Sequence, residues 1–298
     1  FADTVFVNNG KDIEENNAWK RQNLPVRMEN GEFRISNESS LELEAGLDLR
    51  LESNAYFLVD GGILRSLGTS KAPVRLRPAS TLLGWGSGTG SSGYGIRFLS
   101  NSYGEFAFTE IVGTSGSGIL TEAPVRITDS RLDSNAYAGI SFSGDGRAED
   151  TTAFARVSAK GNRWSVATTE MALGFLSSCP GLSDSILVAG NIGVFENETW
   201  RTQSAPIVVE GVEIAISSNA HLTIDAGNTL VFTPGASFLV DDGGLAIAGT
   251  KTAPVNFLPR ASAGWGTNVT SAADGYCMKF MPNATDAQLS NLTMKGAQ

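Results

Sequence analysis

The chain has 298 residues, among them 34 glycines and 10 prolines, and a formal net charge of −9 at pH 7. That charge disfavours nucleic acid and anionic membrane as partners, because each phosphate contact requires a Lys or an Arg. No run of about 18 apolar residues is present, so we expect no membrane-spanning segment.

The rare residue types narrow the chemistry further. The chain has one histidine, His221, and two cysteines, Cys179 and Cys277. These are too few for a disulfide framework, a zinc site, or a Ser-His-Asp or Cys-His site. We therefore expect no cofactor and no metal, with calcium as the one open case.

Short strands are predicted along most of the chain, because polar and apolar residues alternate between turn-forming Gly, Asn, Asp or Pro. The predicted strands include Val26–Met28, Glu32–Ser36, Ser40–Glu44, Leu47–Leu51, Tyr56–Val59, Val74–Arg77, Gly95–Leu99, Phe106–Ile111, Val125–Thr128, Gly139–Phe142 and Leu222–Asp225. The best helical stretch, Thr168–Leu176, is short. Without helical crossovers a βαβ sheet is excluded.

A long internal repeat organises these strands. Residues 1–78 align without a gap on residues 182–259, an offset of 181, with 28 identities. Trp19 falls on Trp200, and Phe57 falls on Phe238. A long fixed period is typical of repeat architectures. The chain opens on Phe1 and ends within its second copy, so we expect that an upstream region has been removed and that the natural protein continues.

A parallel β-helix fits this repeat better than a sandwich. In a β-helix each coil stacks on the previous one at about 4.8 Å, and like side chains form inward rows. With coils of roughly 20–25 residues, one period holds about eight coils. We predict one all-β solenoid domain over residues 1–298, with internal copies at residues 1–181 and 182–298, the second truncated.

Strand alternation also predicts which side chains face inward. The predicted inward residues are Leu41, Leu43, Leu49, Leu51, Phe57 and Val59 in the first copy and Leu222, Ile224, Leu230, Phe232, Phe238 and Val240 in the second. The two cysteines are 98 residues apart, which is several coils along the stack. We therefore expect that Cys179 and Cys277 are not bonded to each other.

One ordered set of motifs occurs in both copies. The second copy has Trp200, Ala205–Val209, Leu222–Gly227, Phe238–Val240, Gly243–Leu245, Ala248–Thr250, Ala253–Phe257 and Gly264-Trp265-Gly266; the first has Trp19, Leu41–Gly46, Ala72–Val74 and Gly84-Trp85-Gly86. The set resembles the right-handed parallel β-helix repeats of bacterial secreted and outer-membrane-associated proteins, many of them classed as lipoproteins. This resemblance implies a right-handed parallel β-helix in a secreted or cell-surface location.

The resemblance leaves the function open. The broader pectin-lyase-like group contains polysaccharide lyases and glycosidases, but also adhesins and passive surface stalks. Lyases of this group use carboxylates to hold calcium and an Arg or Lys as base, and hydrolases use pairs of Asp residues. The catalytic candidates on this ground are Arg126, Asp129, Arg131 and Asp133, with Asp145 and Asp150 nearby. Their spacing is also typical of solvated charges on outward strand and corner positions.

Aromatic residues supply the candidates for ligand binding. Trp85 and Trp265 lie between glycines at equivalent places of the two copies, and Tyr94 and Tyr276 follow them. These rings are candidate platforms for sugars. For the two tryptophans, repetition with the fold favours a packing role.

The sequence therefore predicts a secreted or cell-surface protein with a structural, adhesive or ligand-presenting role, whose partner is a polysaccharide or another surface protein. The alternatives are a polysaccharide lyase or glycoside hydrolase with a carboxylate-lined groove, and a non-catalytic carbohydrate-binding module. A groove with several carboxylates close to an Arg or Lys would favour the enzyme. A flat face with exposed aromatic rings would favour the binding module.

Overall fold

A computed structural model describes residues 5–7, 12–143, 153–168, 173, 176, 179–190, 192–262, 264–267 and 275–297. The protein is nearly all β, with 55% strand and 1% helix, and forms a parallel β-helix solenoid of about 10 turns. The predicted fold class is thus confirmed. The predicted weak helix at residues 168–176 lies largely outside the described residues.

Short strands follow one another along the chain, as the alternation predicts. The strands are β1 Val5–Val7, β2 Asn17–Trp19, β3 Val26–Met28, β4 Gly31–Ser36, β5 Ser40–Glu44, β6 Asp48–Leu51, β7 Ala55–Asp60, β8 Ile63–Leu67, β9 Val74–Pro78, β10 Tyr94–Phe98, β11 Tyr103–Ala107, β12 Thr109–Val112, β13 Ser117–Thr121, β14 Val125–Thr128, β15 Arg131–Asp133, β16 Ala138–Phe142, β17 Ala153–Ala155, β18 Ser158–Ala159, β19 Trp164–Thr168, β20 Gly181–Leu182, β21 Ile186–Val188, β22 Ile192–Val194, β23 Glu198–Trp200, β24 Ile207–Val209, β25 Glu213–Ile216, β26 His221–Asp225, β27 Thr229–Phe232, β28 Ser237–Val240, β29 Gly244–Ala248, β30 Val255–Pro259, β31 Met278–Phe280, β32 Asp286–Ser290 and β33 Leu292–Met294. A short 3-10 helix covers Gly90–Ser92.

The contacts divide the chain into two compact units. Unit 1 contains residues 1–166 and 179–184, and unit 2 contains residues 167–178 and 185–298. The division lies close to the predicted boundary between the internal copies, after residue 181.

Unit 1 has three parallel sheets, which we name faces A, B and C. Face A has the strand order β1-β3-β6-β9-β12-β15-β18-β20, face B contains β4-β7-β10-β13-β16-β19, and face C contains β2-β5-β8-β11-β14-β17. The chain visits the faces in turn, so each circuit of three strands makes one coil.

Unit 2 repeats this arrangement with fewer coils. Its faces are A′ with β21-β24-β27-β30-β33, B′ with β22-β25-β28-β31, and C′ with β23-β26-β29-β32. Many strands recur at the 181-residue offset: β3 begins at Val26 and β24 at Ile207, and β5 begins at Ser40 and β26 at His221. Superposition of the backbones of residues 182–259 and 1–78 stays a prediction.

The inward rows are confirmed in both units. All twelve predicted inward residues are at most 1% exposed. In unit 1 the rings of Phe33 and Phe57, paired on adjacent strands, lie 5.9 Å apart. In unit 2 the ring of Phe238 stacks on that of Phe257 at 5.6 Å. Stacked coils therefore place apolar side chain on apolar side chain along the interior.

Two details of the sequence prediction are wrong. The predicted strand Phe106–Ile111 is divided between β11 and β12, because Phe108 has a φ of 47° and turns the chain from face C to face A. One coil in each copy is also much longer than the roughly 20–25 residues expected. Phe57 pairs with Ile96, 39 residues on, because the segment with Trp85 is inserted between β9 and β10.

The corners use residues that tolerate left-handed backbone. Gly46 has a φ of 81° and its counterpart Gly227 has a φ of 84°. A Cβ atom on Gly46 would also lie 3.1 Å from the Cδ atom of Arg21. The Ala-Gly turn seen in both copies is thus required by backbone conformation and, in unit 1, by space as well.

The two cysteines are buried and are not joined by a disulfide, so the predicted absence of a bond between them is confirmed. The thiol of Cys179 donates to the carbonyl oxygen of Phe154 at 3.2 Å, and that of Cys277 to the carbonyl oxygen of Trp265 at 3.1 Å. Both pack as small apolar side chains with a weak donor.

Truncation of an inward ring tests the interior row. Phe238 is fully buried, so Phe238→Ala should lower the free energy of unfolding by about 3–5 kcal/mol. Its neighbour Leu239 is only partly buried, so Leu239→Ala should cost less than about 1 kcal/mol. Chemical denaturation of both variants checks this. A loss below about 1 kcal/mol for Phe238→Ala would show that the inward face is misassigned.

Candidate functional site

The structure distributes the four catalytic candidates over different parts of unit 1. Arg126 is exposed on face C. Asp129 lies at the following corner, with a φ of 51°, and accepts two hydrogen bonds from Arg156 at 2.6 and 2.7 Å. Arg131 is on face A and donates to the carboxylate of Asp133 at 2.8 Å.

These contacts bind each candidate aspartate to a cation. The hydrogen bond from Arg156, with its charge, lowers the pKa of Asp129. A carboxyl group with a lowered pKa is a poor general acid near neutral pH. The Asp133 side chain is 4% exposed and also accepts the Lys160 backbone N–H at 3.1 Å. Asp145 and Asp150 lie outside the described residues.

No group of three or more His, Cys, Asp or Glu residues that could hold a metal ion occurs among the residues that the structure describes. No described helix is long and apolar enough to cross a membrane.

The two candidate tryptophans are buried. Trp85 is 0% and Trp265 is 1% exposed. Their indole N–H groups donate to the backbone oxygens of Val112 at 2.8 Å and Lys295 at 2.9 Å. The Trp265 ring stacks on Phe232 at 4.1 Å. Buried rings offer no open face to a sugar, so this placement favours the packing role.

Tyr94 is only 9% exposed, whereas Tyr276 is partly exposed. Each belongs to a cluster that also contains outward side chains of the coils. The unit 1 cluster lies on β4, β7 and β10 of face B and consists of Glu32, Arg34, Tyr56, Tyr94 and Arg97. The Glu32 carboxylate accepts from Arg34 Nε at 2.8 Å and from the Tyr56 hydroxyl at 3.2 Å.

The remaining contacts continue the same row of side chains across the strands. The Tyr56 ring meets the Tyr94 ring edge to face at 5.6 Å. The Arg97 guanidinium lies over the Tyr94 ring at 5.8 Å and donates to Glu122 at 2.6 Å. At the other end Arg34 donates to Asp60 at 3.2 Å. Aromatic, cationic and anionic groups are thus linked in one chain of side-chain contacts.

The unit 2 cluster consists of Glu213, Ser237, Tyr276 and Lys279. The Glu213 carboxylate accepts from the Ser237 hydroxyl at 3.3 Å and from the Tyr276 hydroxyl. The Lys279 ammonium lies 5.2 Å from the centre of the Tyr276 ring. Tyr276 and Glu213 are partly exposed, and Lys279 is exposed.

Strand register shows that the two clusters are counterparts. Glu32 and Glu213 are 181 residues apart. Phe57 pairs with Ile96, whereas Phe238 pairs with Met278, one residue later in the repeat. With this shift Tyr94 corresponds to Tyr276 and Arg97 to Lys279. Each copy therefore brings together a glutamate, a tyrosine and a cation at corresponding positions of its own unit.

Sequence reasoning identified Tyr94 and Tyr276 but neither Tyr56 nor the charged residues of these clusters. The gapless alignment of the copies ends at residue 78, so it does not reach Tyr94 or Arg97. The available signal was the pair of segments Gly93–Phe98 and Gly275–Phe280, which read GYGIRF and GYCMKF. Aligning these two segments requires insertions around Trp85 and Trp265. A gapless comparison does not allow such insertions.

Burial and the neighbouring glutamates change the chemistry of the phenols. Burial and the charge of Glu32 raise the pKa of Tyr56 above its ordinary value. Burial and the hydrogen bond to Glu213 raise the pKa of Tyr276 to about 12. The phenols are therefore neutral hydrogen-bond donors over the physiological range and not bases.

Comparison with protein-family models, with curated proteins and with solved structures gave no match to this chain. The assignment as a parallel β-helix repeat protein rests on the fold itself.

The raised pKa of Tyr276 gives a test with a defined sign. The folded-state pKa of about 12 exceeds the ordinary pKa of tyrosine, 10.0. The contribution of Tyr276 to stability is therefore fully present below pH 10 and is lost as the pH rises through about 12. Relative to Tyr276→Phe, the parent protein should lose unfolding free energy over this interval.

A titration of tyrosinate absorbance, with Tyr276→Phe as the blank, measures the same group directly. Glu213→Gln removes the carboxylate charge and should lower the pKa of Tyr276. Glu210→Gln is the matched control, since Glu210 pairs with Arg260 instead. An unchanged titration in Glu213→Gln, or an equal shift in Glu210→Gln, would contradict the assignment.

Proposed function

We propose that this chain is a non-catalytic β-helix scaffold, secreted or at the bacterial cell surface, that presents the unit 1 and unit 2 clusters to a polysaccharide. The observation that carries the proposal is the recurrence of one glutamate, one tyrosine and one cation at corresponding positions of each copy. The cellular location follows from the resemblance of the repeats to bacterial secreted and surface proteins.

The chemistry of the clusters suits sugar hydroxyl groups. Carboxylate oxygens accept hydrogen bonds, and guanidinium, ammonium and phenol groups donate them. The partly exposed rings of Tyr56 and Tyr276 add an apolar face for the C–H groups of a pyranose. Side chains that already hold one another in place lose little conformational freedom when a ligand binds.

The contacts of the carboxylates support a binding role over a catalytic one. A glycosidase needs two carboxyl groups on either side of the scissile bond, one of them protonated as the acid. In the unit 1 cluster Glu32 is bound by Arg34 and Tyr56, and Asp60 is bound by Arg34. Both carboxylates are therefore already held by donors of the protein itself.

A panel of soluble neutral and acidic polysaccharides tests the proposal, with binding and product release measured on the same samples. We expect binding without turnover. Tyr56→Ser places in unit 1 the residue that unit 2 has at Ser237, and Tyr276→Phe removes one hydroxyl. Each change should weaken binding about three- to tenfold, as expected for one hydrogen bond.

Tyr103→Phe, on face C, is the matched control and should leave binding unchanged. Turnover of any polysaccharide by the parent protein would support the lyase or hydrolase alternative and overturn the proposal. If Tyr103→Phe weakens binding equally, or if both cluster variants leave binding unchanged, the clusters are not the polysaccharide-binding site.

A further inference from the structure

Face A of unit 1 carries a second surface feature, a row of three arginines. Arg27, Arg50 and Arg77 are paired in register on β3, β6 and β9. Like charges directly opposite each other on adjacent strands are unfavourable. The repulsion among three arginines in line must therefore be compensated, either within the fold or by a ligand.

Carboxylates beside the row provide part of the compensation. Arg27 pairs with Glu52, and both Arg50 and Arg77 pair with Asp48. In each pair the arginine is the more exposed partner: the three arginine side chains are 43% exposed, against 26% for Glu52 and 22% for Asp48. The surface that a partner would meet is thus a line of guanidinium groups with less exposed carboxylates beside them.

The fold does not require these arginines. The counterparts at the 181-residue offset are Val208, Val231 and Leu258, paired in the same register on β24, β27 and β30. Unit 2 builds the same three strands with aliphatic residues at these positions. Thr229 and Thr233 stand at the positions of Asp48 and Glu52, so the arginines and their paired carboxylates are together a feature of unit 1 alone.

The same comparison applies to the next row of face A. There Asp48, Arg75, Glu110 and Arg131 alternate in sign from strand to strand. Alternating charges stabilise one another across strands, and this row needs no partner. The arginine row is distinct because neighbours within it repel.

From this geometry we propose that the arginine row, Arg27, Arg50 and Arg77, binds a linear anionic polysaccharide that carries one carboxylate or sulfate on each sugar and runs across the strands. Adjacent strands are spaced about 4.8 Å apart, close to the length of one pyranose residue. Each coil then meets one sugar, and each sugar acid meets one guanidinium, the group best suited to a planar oxyanion.

The spacing disfavours an extended acidic peptide. Its same-side groups repeat at roughly 6.6–6.8 Å, which does not match the row over three strands. This proposal does not depend on the tyrosine clusters, which lie on other faces.

Binding of alginate, a polyuronate, by the full chain tests the proposal, with neutral dextran and single-stranded DNA as comparison ligands. The triple variant Arg27→Val, Arg50→Val, Arg77→Leu installs the residues of unit 2, so it should fold. It should bind alginate at least about tenfold more weakly, since three charge contacts are lost. Higher salt should weaken binding by the parent protein.

The control variant Lys20→Ala, Arg65→Ala, Arg126→Ala removes the same charge away from face A and should keep its alginate affinity within about twofold. Asp48→Asn gives a second readout that does not depend on the triple variant. It removes the less exposed charge beside Arg50 and Arg77 and should tighten alginate binding.

Three results would overturn the proposal: equal losses in the two triple variants, weaker binding in Asp48→Asn, or equally tight binding of dextran or DNA. Loss of alginate binding in the triple variant, with dextran binding and the effects of Tyr56→Ser unchanged, would separate this surface from the clusters. If Tyr56→Ser and Tyr276→Phe leave polysaccharide binding unchanged while the arginine triple variant loses alginate binding, the proposed function is wrong and this inference stands.

Discussion

The structure depends on one constraint, the in-register stacking of parallel coils. Because each residue lies directly above its partner in the next coil, each side chain contacts the side chains in register with it and must be compatible with them. Inside, this produces continuous apolar rows such as Phe33 on Phe57. Outside, it brings residues more than twenty positions apart in the chain into direct contact, as for Arg27 and Glu52.

The internal copies show which positions the constraint determines. Inward positions keep their character: Leu41 corresponds to Leu222 and Phe57 to Phe238, and all four are fully buried. Outward positions are free to diverge, as the arginine row of unit 1 and its aliphatic counterpart in unit 2 demonstrate. An outward arrangement that recurs, or one that is unfavourable without a partner, is therefore informative about function.

The interior could be predicted from the sequence because alternation and burial are local properties. Corners and insertions could not, since they depend on single backbone conformations and on loop length. Phe108 turns the chain although nothing in its residue type favours a positive φ. Trp85 lies in an inserted segment whose length differs between the copies, so its burial became evident only from the packing.

The candidate site was less predictable than the core, because it is made by register across coils. Tyr56 and Glu32 are 24 residues apart, and only the pairing of β4 with β7 shows that their side chains meet. The same applies to Tyr276 and Glu213, which are 63 residues apart. Conversely, Arg126 and Arg131 are close in sequence but lie on different faces, since a corner separates them.

Cross-linking of engineered cysteines tests the register most directly, in a background where Cys179 and Cys277 are replaced by Ala. Glu42 pairs with Arg65 in unit 1, and Thr223 pairs with Ala246 in unit 2. At about 4.8 Å between Cα atoms, both pairs should form disulfides when changed to Cys. The pairs Glu42 with Leu67 and Thr223 with Ala248 share the outward face but are offset by two residues, at about 8 Å, and should not. Disulfides in both in-register pairs alone would confirm that the two units are built by the same stacking, whereas efficient cross-linking of an offset pair, or failure of an in-register pair, would contradict it.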